Sequence, residues 1–299
     1  MRTIALIALL MTPLPGAALA HGGEAHDTGA TWTFDPWIVG PLLAVGVPYL
    51  FGAWALRKRT TIGHSARAWN AAAFGLGWFA LAGALVSPLH WLGEHLFTFH
   101  MIEHEIVMAV SAPLLVAARP IGTMLWALPR RARVAAGRML RRRGVVAAWD
   151  WLGSGGNATA LHGIAIWAWH APLLFDAAVA DVAVHRLQHL SFLATALLFW
   201  WSVFYRSNPG LAAWQLFVTM MHTSMLGALM TLAPKVLYEA QTATALEWGL
   251  TPLQDQQLAG LIMWIPAGTI YAGAALALTA IWIRKSGEMR RRSDAVGAR

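Results

Sequence analysis

Seven apolar runs, each near the ~20 residues that a helix needs to cross the hydrocarbon core of a bilayer, govern what this chain can fold into. They lie at about 36–56, 68–89, 97–118, 157–175, 187–205, 211–233 and 257–283. Hydrophobic residues make up 58% of the 299 positions and charged residues only 12%, a balance that excludes an ordinary soluble domain. The 17 tryptophans suit helices anchored at lipid–water interfaces. The sequence predicts an all-α membrane protein, a seven-transmembrane-helix bundle with one transmembrane domain over 36–285.

The charges set the orientation. Of 22 Lys and Arg, Arg2 belongs to residues 1–20, which read as a cleaved signal peptide ending Ala18-Leu19-Ala20. Of the remaining 21, only Arg186 and Lys235 fall on loops assigned outside, leaving 19 inside. The positive-inside rule then puts the N-terminus outside and the C-terminus inside. A periplasmic leader covers 21–35 and a cytoplasmic tail 286–299. The net charge of +8 comes from clusters between spans, not from one basic face, so it speaks for topology and against nucleic-acid binding. The connection carrying Arg130, Arg131, Arg133, Arg138, Arg141, Arg142 and Arg143 reads as a topological anchor, with a docking surface for anionic lipid or a partner as the alternative.

Within the apolar runs stand groups that do not belong in hydrocarbon. Ionisable side chains there face a protein interior or a water-filled cavity and are candidates for function. His100 and His104 open the third run, His185 and His189 the fifth, with Glu103 and Gln188 at the same place inside each pair. Residues at i and i+4 share a helix face, so each pair offers two imidazoles to one centre. His90 and His95 arrive from the second run and His170 from the fourth, in Trp169-His170-Ala171-Pro172. His222, in the middle of the sixth run, is expected near the bilayer midplane. His64 and His162 read as structural.

The chain has no cysteine, which removes disulfides and thiolate sites and leaves imidazole, carboxylate and thioether as donors. The candidate metal ligands are therefore His90, His95, His100, Glu103, His104, His170, His185, His189 and His222. Glu94, Glu103, Glu105, Asp176 or Asp181 would hold the rings by hydrogen bonds. Imidazole in apolar surroundings suits copper, zinc or iron, and Met101, Met108, Met220, Met221 and Met225 favour Cu(I). The plain alternative is that interfacial histidines bond helix ends and headgroups, and that methionines only pack. His21, with Glu24 and His26, is either a capture site for copper or part of a flexible leader. Pro113 and Pro266, inside the third and seventh runs, are expected to kink their helices.

The segments HMIEHEIVMAVSAPLLVAARP (100–120), WHAPLLFDAAVADVAVHRLQHLSFLATALLFWWSVF (169–204) and LIMWIPAGTIY (261–271) resemble the multi-spanning CtaG family of cytochrome c oxidase assembly factors. The resemblance covers nearly all of the mature chain and rests on HMxxH, then WHxP, then HxxQH. Glu103 stands where Gln is expected to be frequent. The resemblance implies a bacterial inner-membrane protein, not an enzyme, whose partners are a cytochrome c oxidase subunit and membrane lipid. Copper insertion is the implied stage, with His100, His104, Trp169, His170, His185, Gln188 and His189 at the motif positions. A heme-binding membrane redox protein is the alternative, and a metal permease, which needs ligands at several depths, a weaker one.

Overall fold

The computed structural model describes residues 31–59 and 63–297, and these form helices and connecting turns with no strand among the described residues. The expected signal peptide and the His21 site lie outside the described residues. Helix α1 spans Pro36–Arg59, α2 His64–Val86, α3 Pro88–His95 and α4 Phe97–Ala117. A connection follows with three short helices, α5 (Pro120–Met124), α6 (Arg130–Leu140) and α7 (Arg143–Leu152). Then come α8 (Gly155–Trp169), α9 (Pro172–Ala180), α10 (Val182–Arg206), α11 (Pro209–Leu232) and α12 (Pro252–Gly297).

Six of these, α1, α2, α4, α10, α11 and α12, are long and apolar enough to cross a membrane. The chain is thus a membrane-embedded helical protein. The expected fourth span is broken: α8 and α9 meet at 73°, and they make a seventh span only if the bent pair is taken as one. Pro172 is the cause. A proline disfavours helical backbone in the residue before it, and Ala171 is extended at φ −66°, ψ 125°. The second run likewise ends earlier than its apolar stretch. Pro88 forces Ser87 out of the helix, to φ −77°, ψ 172°, and the residues beyond it form the separate helix α3.

The other two prolines are absorbed without ending a span. Pro113 sits directly after a π turn, Ile106–Ser111, whose wider ring leaves carbonyls free for other partners. One of these, Met108 O, accepts from Trp200 Nε1 at 3.0 Å, which ties α4 to α10. Pro266 lies inside an unbroken α12.

The most extensively packed pair is α11 with α12. A Cβ at Gly227 would lie 2.8 Å from Gly260 O, and one at Gly260 would lie 2.5 Å from Thr231 Oγ1. Two facing glycines therefore let these backbones touch, the usual device where lipid gives no hydrophobic drive.

The two ends of the bundle differ in chemistry. At one end Arg59 and Arg133 pack on Trp126, Arg119 packs on Tyr205, and Arg206 pairs with Asp150. At the other, the chain before α1 joins the start of α10 through Arg186 and Asp35, 2.6 Å apart. The connection between α11 and α12 lies over α3 at this second end, where Gln241 donates to Gly93 O at 2.8 Å.

Candidate functional site

Helix α4 begins after Leu96, which is extended (φ −133°, ψ 128°) and offers no side-chain cap. Its first amides are satisfied from another helix. Phe97 N and Thr98 N donate to the two carboxylate oxygens of Asp255 on α12 at 2.8 and 2.9 Å, and Thr98 Oγ1 donates at 2.7 Å. Asp255 is 0% exposed. A carboxylate at a helix N-terminus stabilises it through both the bonds and the dipole, so α12 fixes the depth and rotation of α4. Helix α10 is capped by its own Asp181, which accepts from Ala183 N and Val184 N at 2.7 and 3.1 Å. His100 and His185 are each the fourth residue of their helix, so the two pairs stand at matched height.

The rings meet across the two helices. Within the pairs, centroids are 4.2 Å apart for His100 and His104 and 4.6 Å for His185 and His189. Between helices they are 5.0 Å apart for His104 and His189 and 5.6 Å for His100 and His185. His90 of α3 adds a fifth ring, 5.9 Å from His185 and 6.1 Å from His189. Its Nδ1–H donates to Glu103 Oε1 at 2.8 Å, and the same oxygen lies 3.7 Å from His189 Nδ1. Burial opposes charge on His90, but the bond to Glu103 and the carboxylates of Glu103, Glu94 and Asp35 outweigh it and raise its pKa. Gly93 makes this approach possible, since a Cβ there would meet Glu103 Oε2 at 3.0 Å and His100 Cα at 3.3 Å.

The connection between α11 and α12 closes the layer from above. Gln241 holds Gly93 O, Thr244 Oγ1 donates to His95 O, and Tyr238 OH donates to His170 O at 2.7 Å. Burial, with the nearby Asp176 carboxylate, pushes the Tyr238 phenol up to about 12, so it remains a donor. Gln256 anchors the connection in turn, accepting from Leu237 N at 2.6 Å.

Inside this enclosure many polar atoms have no partner. They include His100 Nε2, both ring nitrogens of His104 and of His189, Glu103 Oε2 and both amide atoms of Gln188. Each buried group left so costs about 1–3 kcal/mol, and native proteins keep few of them without a reason. Such a concentration is unusual in a folded interior. Among the described residues, however, no three His, Asp or Glu side chains already converge as a metal-binding group.

The remaining candidates divide. His95 stacks on Trp91 at 4.0 Å and directs Nδ1 to Trp91 O at 2.7 Å, so it is held by its own helix. His170 sits at the break between α8 and α9, where its Nδ1–H donates to Ile166 O at 2.7 Å and Nε2 is unpartnered. Phe192 packs near both, 6.2 Å from His170 and 4.8 Å from His104. His222 lies outside the layer, on α11 against α8, where a Cβ at Gly163 would lie 3.4 Å from its Nε2. It shares that level with His162, whose Nδ1 faces Thr195 Oγ1 at 3.2 Å. Of the methionines, Met101 and Met108 are buried, while Met221 and Met225 are exposed on the bundle surface. Of the carboxylates, Glu103 holds His90, Glu94 lies 3.9 Å from it, and Asp181 caps α10.

Sequence reasoning did not single out Asp255 or Gln241. The only signal for Asp255 was an acid in the first turn of the last apolar helix, which reads as local dipole compensation; nothing local marked Gln241.

The model of the family described as cytochrome c oxidase caa3 assembly factor (Caa3_CtaG) matches residues 47–285. No curated protein and no solved structure matches the chain.

Proposed function

Because the chain belongs to the cytochrome c oxidase caa3 assembly factor family, we propose that it serves oxidase assembly by carrying copper, which the histidine layer receives and passes to an oxidase subunit docked alongside. The observation that carries this reading is the layer itself: five imidazoles around Glu103, most of them buried, among which His100, His104 and His189 have ring nitrogens without a hydrogen-bond partner. Imidazole and carboxylate donors without thiolate suit copper among the transition metals, and an apolar enclosure favours the low coordination numbers of Cu(I). Bringing two or three nitrogens onto one ion requires the rings to rotate toward each other, starting from centroid separations of 4.2–5.6 Å. Carriage needs no bond-making chemistry, so the role is that of a chaperone and not of an enzyme.

The same reading puts the protein in a bacterial inner membrane with seven spans, the bent α8–α9 pair counted as one. The arginine-rich end faces the cytoplasm and the histidine layer lies one turn in from the periplasmic face. One observation favours a second reading. His90, His185 and His189 line a large apolar groove, which suits a heme ligated from the side.

Metal analysis with an optical spectrum decides between them. It is made on purified wild type and on the His100→Ala/His104→Ala/His185→Ala/His189→Ala variant, with folding checked by circular dichroism. Copper retained by the wild type and absent from a folded variant is the expected result. A heme absorption band moves the function to electron transfer. Equal Cu(I) binding by the two proteins, without heme, removes the metal role and leaves a scaffold.

A further inference from the structure

A groove of about 1190 Å³ begins at the histidine layer and ends at Arg119, Trp149 and Trp201. Its walls are apolar, with Leu42 of α1 on one side and Leu193 and Leu197 of α10 on the other. It exists because α1 packs mainly on α2 and on the segment just after α4, and not extensively on α10. From His185 to Trp201, α10 advances sixteen residues, about 24 Å at ~1.5 Å each, most of the ~30 Å hydrocarbon core. Such a slot in a bilayer is filled by chains and not by water.

Its far end is polar in a specific way. Arg119 has φ 49° and ψ 54°, the only positive φ outside glycine among the described residues. Left-handed backbone brings a Cβ against the following carbonyl oxygen and strains the residue, and glycine would remove that strain. A side chain kept under strain is a reason to look for its use. The Arg119 guanidinium lies 4.2 Å from the centroid of the Tyr205 ring, whose phenol is held by Val116 O and Ala117 O. None of the ion pairs among the described residues involves Arg119. Beside it in the groove, Trp201 Nε1 is a buried donor with no acceptor. A cation and a neutral N–H at one end of an apolar slot match a phosphate and an ester carbonyl above acyl chains.

We propose that this groove is a binding site for an anionic phospholipid, with its phosphate on Arg119, an ester oxygen on Trp201 Nε1 and its chains along α10 toward the histidine layer. Charge complementarity selects this occupant. A neutral apolar slot would accept any chain, and a partner helix would leave both polar groups unanswered.

The test uses full-length protein reconstituted in phosphatidylcholine alone and in phosphatidylcholine with an equal share of phosphatidylglycerol. The readouts are the unfolding midpoint and the phospholipid retained in native mass spectrometry. Wild type is expected to retain phosphatidylglycerol and to unfold at a higher temperature when it is present, since a ligand bound only by the folded state stabilises it. Arg119→Gly is expected to lose both effects while unfolding no lower, or higher, than wild type in phosphatidylcholine, because the strain is gone. Arg119→Gln, which keeps the strain, loses both effects as well. Ala194→Trp, placed on the exposed groove wall, displaces the lipid. Wild-type retention and midpoint shift in both Arg119 variants overturn the proposal. So does an Ala194→Trp protein that keeps its lipid but no longer associates with the oxidase, which assigns the groove to a partner helix.

Discussion

Helices α4 and α10 carry the same His-x-x-x-His spacing at the same helical position, yet the fold holds them differently. Helix α4 is the most buried of the spans, and His100 and His104 are each 2% exposed. Its N-terminus is capped by a side chain from α12, so the helix cannot change depth or rotation unless another helix moves. Helix α10 is capped from within its own sequence, and both of its histidines line the groove, as does His100 alone of the α4 pair. The contrast teaches that identical local spacing is assigned different work by tertiary context. The α4 pair forms the wall set by another helix, and on the proposed copper role the α10 pair is the side through which the ion would enter or leave.

The comparison can be broken most directly at the rings. Replacing His100 and His104 together by Ala is expected to weaken Cu(I) binding at least a hundredfold, about 2.7 kcal/mol. Replacing His185 and His189 is expected to weaken it about tenfold and to speed release, both read by competition with a Cu(I) chelator. Equal losses and equal release rates would mean that wall and doorway are not distinct.

The caps come next. Asp255→Ala removes a charged acceptor from the buried amide of Phe97 and the half-buried amide and hydroxyl of Thr98 and is expected to cost about 2–3 kcal/mol. Asp181→Ala, an exposed cap on its own helix, costs about 1 kcal/mol. Equilibrium unfolding in micelles measures both, and a reversed order would show that α12 does not anchor α4.

Glu103→Gln sharpens the electrostatic side. The amide keeps the size of the carboxylate but not its charge, and loss of such a ring-holding partner typically weakens metal binding about tenfold. Unchanged affinity in the chelator competition would leave Glu103 with a structural role only. The smallest effect is expected at the deeper level. His222→Ala should leave copper retention within about twofold, as for distant, independent sites, and a larger loss measured by metal analysis would join the two levels into one path.

The histidine pairs were legible because their signal is local: imidazoles four positions apart in an apolar run cost free energy unless the fold gives them a shared purpose. Span positions were legible for the same reason, with the first, third, fifth and sixth expected to within a few residues. The bend after His170 was foreshadowed by Pro172 but not read as a break, since the apolar run continues through Phe175 and hydropathy does not register direction. Asp255, Gln241 and Gly93 could not be read at all. Each acts on a partner that is distant in the chain, 158 positions away for Asp255 and Phe97 and 148 for Gln241 and Gly93. Sequence spacing carries no trace of such pairings. The groove is invisible for a related reason: it is a gap between helices that each look complete.

The cap on α4 also sets an order of events. The residue that completes the start of the third expected span is delivered by the last one, 158 positions later. From His189, which completes the second pair, to Asp255 is 66 positions, so at ~5–20 residues per second of synthesis the chain holds both histidine pairs for about 3–13 s without the brace that registers them. A nascent chain therefore has the donors before it has the site. On the proposed copper role, the timing of the fold itself discourages premature loading, and copper competence becomes a signature of a fully inserted protein.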